Sequence, residues 1–173
     1  MADREVENSS QEVPEIPEIL EKVLLFALDE AKGKMSQGAE VIPFTALVVK
    51  DNLFIETHPG ENADECFSLA QHTVEGARGA EAYALCYDGY IETDDGVMDA
   101  LIAEGGVPGV SDGYAIGYLY TMEEGAAPKF ESEPAYVGEA PNFMDHLKDA
   151  SEYTDDEIEE KYLEEDESED SEE

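Results

Sequence analysis

Residues Gly113 to Thr121 alternate Tyr114, Ile116, Tyr118 and Tyr120 against Ala115, Gly117, Leu119 and Thr121. Side chains of a strand point to opposite faces in turn, so a period of two predicts a strand with two distinct faces. The segments before it carry strand and turn signals too. Ala82 to Asp88 puts Tyr83, Leu85 and Tyr87 on one face and Ala84 and Cys86 on the other. Gly89 reads as a bulge, and Tyr90 to Thr93 extends the strand. Asp94-Asp95-Gly96 predicts a hairpin turn, with Val97 to Ala103 as the returning strand. Val41 to Val49 is rich in β-branched and aromatic residues, with Pro43 at an edge or entry position. Lys50-Asp51-Asn52 signals a tight turn, and Leu53 to His58 completes a second hairpin, closed by Pro59-Gly60. Gly105 to Gly109 reads as a flexible loop.

Two segments carry helical spacing instead. Ile19, Leu20, Val23, Leu24, Ala27, Leu28 and Ala31 recur at three and four residues, with Pro17 suited to the first turn. Glu18 and Glu21 suit the positive end of this helix, and Gly33 suits its termination. Ala63, Cys66, Phe67, Ala70, Val74 and Ala77 form a second stripe, opened by Asn62 and Glu65 at capping-box spacing. The order is α-β-β-α-β-β-β. It predicts an α+β fold with a mostly antiparallel five-stranded sheet and the helices on one face.

Outside these elements the chain changes character. Residues 1–14 read as a disordered acidic arm and 15–122 as the α+β domain. Residues 123–148 read as an irregular segment whose Tyr136, Val137, Phe143, Met144 and Leu147 dock across the domain. Residues 149–173 read as a disordered acidic tail, with Tyr153 to Leu163 as a transient helix. The formal net charge is −36, from 45 acidic and 9 basic residues. Asp149 to Glu173 holds 15 acids against Lys161, or −14, which leaves −22 on Met1 to Lys148. The domain is therefore acidic in its own right. Such a charge argues against nucleic acid, whose phosphates need clustered Lys and Arg, and against anionic membranes. A well-solvated surface and a basic protein partner are both consistent with it. Adaptation to high salt fits less well, because Glu outnumbers Asp by 30 to 15. The first residues lack a basic-plus-apolar leader and the longest apolar run, Val23 to Leu28, is far too short to span a bilayer, so a cytoplasmic location is expected.

Reactive groups are few. Cys66 and His72 lie six residues apart on one helix, about 240° around its axis, and so face different ways. Cys86 alternates into a strand face and reads as buried. His58, His72 and His146 lack metal-site spacing. A calcium loop placed on Gly96 would need Ile91 as its first ligand, which fails. Gly105-Gly106-Val107-Pro108-Gly109 is not followed by the Lys-Ser/Thr of a phosphate loop. No residue is assigned a catalytic, cofactor or metal role, and no cofactor is expected. The tyrosines Tyr83, Tyr87, Tyr114, Tyr118 and Tyr120 are candidates for an interface with a partner or a second copy, or else for a face covered by the helices.

The stretch Tyr83-Ala-Leu-Cys-Tyr-Asp-Gly-Tyr-Ile-Glu-Thr93, the turn after it, and Met98-Asp-Ala-Leu-Ile-Ala-Glu104 resemble a group of small uncharacterised bacterial α+β proteins. With Gly113 to Thr121 and Val137-Gly-Glu-Ala-Pro141, the resemblance spans most of residues 42–141 and implies no catalytic assignment. The element order also resembles roadblock and longin-type folds, which are dimerisation or adaptor modules. Small acidic secretion chaperones are similar in size and charge but place three strands between their first two helices. The expected function is a non-enzymatic protein-binding or dimerisation module, with another protein or a second copy of the chain as its partner. The alternatives are an acidic inhibitor or immunity-type protein that neutralises a basic partner, and a small hydrolase using carboxylates.

Overall fold

The computed structural model describes residues 15–50, 52–93, 96–123, 125–149 and 152, and the backbone of residues 5–7. Most of the acidic arm and tail, including 153–163, and the Asp94-Asp95 turn lie outside the described residues. The strands are β1 (Glu5–Glu7), β2 (Phe44–Val49), β3 (Asn52–Thr57), β4 (Ala82–Thr93), β5 (Gly96–Gly106), β6 (Asp112–Thr121), β7 (Lys129–Phe130) and β8 (Ala135–Pro141). The helices are α1 (Glu18–Ser36) and α2 (Ala63–Glu75). The fold is α+β and the sheet mostly antiparallel, as expected. Its order is β3-β2-β4-β5-β6, with β7 and β8 both along the outer edge of β6. The exception is β1, which runs parallel to β4 at Tyr90 to Glu92.

The sheet is wider than the five strands expected. All five are present, and β1, β7 and β8 add to them. β8 occupies part of the segment expected to be irregular. Its alternation is broken by a bulge: Ala115 pairs with Gly138 but Ile116 pairs with Tyr136, so the register skips Val137. Val137 and Ala140, three residues apart, consequently enter the same core. β1 is three residues long, too short to show a period. Gly105 and Gly106 end β5 instead of opening a loop.

The helices do not share a face, contrary to expectation. β4 requires cover on both sides, because Tyr83, Leu85 and Tyr87 on one face and Ala82, Ala84 and Cys86 on the other are all fully buried. A sheet apolar on both faces is stable only as the middle of a layered structure. α1 packs Leu20, Leu24, Ala27 and Leu28 on the second face, against Phe44, Ala46, Ala84, Cys86, Leu101 and Ala103. The alanines there leave room for the helix. α2 covers the first face with Ala70 and Val74, over Leu47, Val49, Tyr83 and Leu85. The rest of that face is closed by Val137, Ala140, Met144 and Leu147.

α1 also runs past Gly33 to Ser36. Met35 continues its buried stripe, and burying one such side chain contributes about 1.5–3 kcal/mol, more than the roughly 1 kcal/mol that a mid-helix glycine costs. Gly38, at φ 83°, supplies the left-handed residue that ends the helix, with its N–H donating to the Met35 carbonyl. α2 begins as expected: the Asn62 side chain accepts the Glu65 N–H at 2.9 Å, and the Glu65 carboxylate accepts the Glu61 N–H at 3.3 Å.

Candidate interaction edge

The five tyrosines are divided between the two faces. Tyr83 and Tyr87 lie under α2 and the C-terminal segment, both fully buried. Tyr114, Tyr118 and Tyr120 belong to the α1 face, with Tyr118 and Tyr120 buried and Tyr114 half-buried. They do not form one surface. Four of them, Tyr83, Tyr87, Tyr118 and Tyr120, make defined contacts within the fold. The Tyr83 hydroxyl donates to the Pro141 carbonyl at 3.3 Å and accepts the Phe143 N–H at 3.0 Å, and its ring stacks on Phe143. It therefore anchors the segment that covers it. Lys32 sits 4.3 Å from the centre of the Tyr118 ring.

Two carboxylates, buried Glu104 and half-buried Asp88, meet tyrosines. The Tyr87 hydroxyl donates to Glu104 Oε1 at 2.8 Å, and the Tyr120 hydroxyl donates to Asp88 Oδ1 at 2.6 Å. Burial pushes the Asp88 carboxyl above the usual range, aided by Asp99 and opposed by the Tyr120 bond. The two carboxylates project to opposite faces of the sheet, since Tyr87 and Tyr120 belong to different cores. They cannot flank one substrate.

The thiols and imidazoles stay apart as well. Cys66 and Cys86 are free and buried. Burial pushes the Cys86 thiol far above its ordinary value, which keeps it protonated. His58 Nε2 lies 2.9 Å from Thr45 Oγ1, and burial lowers its pKa while Glu56 partly offsets this. His146 Nε2 lies 3.0 Å from the Glu75 carbonyl, tying the C-terminal segment to α2. Among the described residues, no three His, Cys, Asp or Glu side chains group as a metal site requires. Among the same residues, no helix is long and apolar enough to cross a membrane.

A cavity of about 470 Å³ opens where the sheet has a gap. β2 covers the outer edge of β4 as far as Cys86, and β1 resumes at Tyr90. Asp88 lies in the interval and lines the cavity with Glu40, Glu61, Asn62 and Cys66. Sequence reasoning missed this site, because only the pairing of β4 reveals the gap.

The two long edges of the sheet differ. On the β6 side the chain closes its own edge with β7 and β8. Asn142 then fixes the following segment, donating to the Val107 and Val110 carbonyls at 2.8 and 2.6 Å and accepting the Met144 N–H at 2.9 Å. On the other side β3 is terminal, and among the described residues no strand pairs with its outer edge. Of its six residues only Phe54 is partly buried. Leu53 and Ile55 are 39% and 46% exposed on the face that α1 covers further in, since they pair with Val48 and Ala46. α1 lies over β4 and β5 and leaves them uncovered. On the other face, the Thr73 hydroxyl of α2 donates to Glu56 Oε2 at 3.0 Å. One helical turn earlier Leu69 is 42% exposed. An open edge strand with exposed apolar side chains is a template for a further strand. The sequence signal was the run Leu53-Phe54-Ile55, three apolar residues that one core cannot all receive.

Comparison of the chain with protein-family models, curated proteins and solved structures finds no match.

Proposed function

We propose that the chain is a non-enzymatic protein-binding module that takes a partner's strand along β3. The observation that supports this is the open β3 edge with Leu53 and Ile55 exposed on it. Natural sheets usually blunt such edges with charge, proline, bulges or a covering element. Here the chain covers the β6 edge with its own residues, and among the described residues no strand covers β3. Main-chain hydrogen bonds would supply affinity, and the apolar side chains would select what docks.

The test is a capture experiment with the full chain and with a Leu53→Ser/Ile55→Ser variant of unchanged circular dichroism. Proteins retained by the first and lost from the second support β3 docking, whereas an identical set from both contradicts it. Light scattering separates a partner from self-pairing: a dimer abolished by the same double substitution would place a second copy on the edge.

Asp88 favours a second assignment, a small hydrolase using a carboxyl. Its carboxyl is held protonated more readily than usual and borders a cavity large enough for a small substrate. Asp88→Asn keeps the acceptor for Tyr120. Under this assignment it abolishes turnover of an ester or amide panel, and wild-type protein inactive on the whole panel counts against it.

A further inference from the structure

We infer that the strand accepted by β3 is cationic and amphipathic, with apolar residues alternating with Lys or Arg; this rests on β3 docking as proposed above. A strand added beside β3 continues the sheet, so its side chains alternate between the two faces. On one face they meet Leu53 and Ile55, which call for apolar partners. On the other they meet Glu56, whose side chain is 62% exposed beside His58, and the row of exposed Glu65 and Leu69 and half-buried Thr73 on α2. Cross-strand pairs of opposite charge are favourable and like charges are not, so the second face calls for a base.

The long-range field selects the same occupant. The chain carries −36 overall and −22 without residues 149–173. A cationic segment is drawn toward this surface and a second copy of the chain is repelled. The chain's own residues 149–173, at −14, are repelled likewise. Attraction of this kind is screened over about 10 Å at 0.1 M salt, so docking should weaken as salt rises.

The test selects a display library of short random segments against the full chain and maps each enriched peptide by amide hydrogen exchange. The expected peptides are net positive, have apolar residues at alternate positions, and protect β3 amides. They lose about tenfold in affinity on Leu53→Ser/Ile55→Ser and about threefold on Glu56→Gln. Neutral or acidic peptides that protect β3 would overturn the cationic assignment and leave β3 docking intact. Peptides that protect other elements, or no enrichment at all, would overturn both.

Discussion

The β6 edge and the β3 edge of this sheet are finished in opposite ways. Along β6 the chain adds β7 and β8, then pins the next residues with Asn142, Tyr83 and His146. Along β3 the described residues add nothing, and two apolar side chains face outward. An open edge is a liability unless it is used. The contrast teaches that the closed edge is held by the chain's own residues, whereas the outer side of β3 is left without a strand by the described residues. Substitutions at the two edges should therefore separate stability from binding.

The largest effect is expected at the closed side. A methyl on Gly105 would collide with the Tyr83 carbonyl, and one on Gly113 with the Gly105 carbonyl, where strands β4, β5 and β6 approach closely. Gly105→Ala should cost about 3 kcal/mol in urea unfolding, because backbone cannot move aside as a side-chain tip can. A loss below about 1 kcal/mol would mean this crossing is looser than described. Asn142→Ala comes next. It strands the Val107 and Val110 carbonyls and should cost about 2 kcal/mol. Proteolysis should then begin within residues 142–149, while β3 exchange stays unchanged.

A pH effect is expected on the open side, at His58. Its folded pKa lies below the ordinary value of about 6.5 because it is buried. As pH falls through 6.5, the unfolded chain takes up the proton more readily than the folded one, so stability falls on acidification. Wild type should lose more stability than His58→Gln between about pH 6.5 and 5. Equal losses would show that burial of His58 does not set this pH dependence. The smallest stability change belongs to Leu53→Ser/Ile55→Ser, within about 0.5 kcal/mol, as for exposed positions generally. A cost as large as that of Asn142→Ala would make β3 a structural edge like β6.

Much of this architecture was legible from local pattern. The alternation of Gly113 to Thr121, the apolar stripes of both helices and the Asn62–Glu65 cap are set by neighbours a few residues away, and all three are present. What depends on register between strands was not legible. Parity within β4 and within β6 is clear, but only the pairing shows that Tyr87 lies across β5 from Gly117 and not from Tyr118. That pairing divides the tyrosines between two cores. The bulge at Val137 hid β8 for a related reason, since one extra residue breaks the period by which strands are recognised. The candidate edge was hidden differently. The run Leu53-Phe54-Ile55 signals apolar side chains on both faces of β3, but that Leu53 and Ile55 stay exposed depends on where α1 crosses the sheet, which local spacing does not encode.

The most direct test of the central claim is amide hydrogen exchange on the free full-length chain, at a concentration where light scattering gives a monomer. Alternate amides of β3 should exchange rapidly, while the amides shared by β6 and β8 are protected. If the β3 amides are all protected as strongly as those of β8 in the monomer, the edge is already covered by the chain itself, and β3 is not its docking edge.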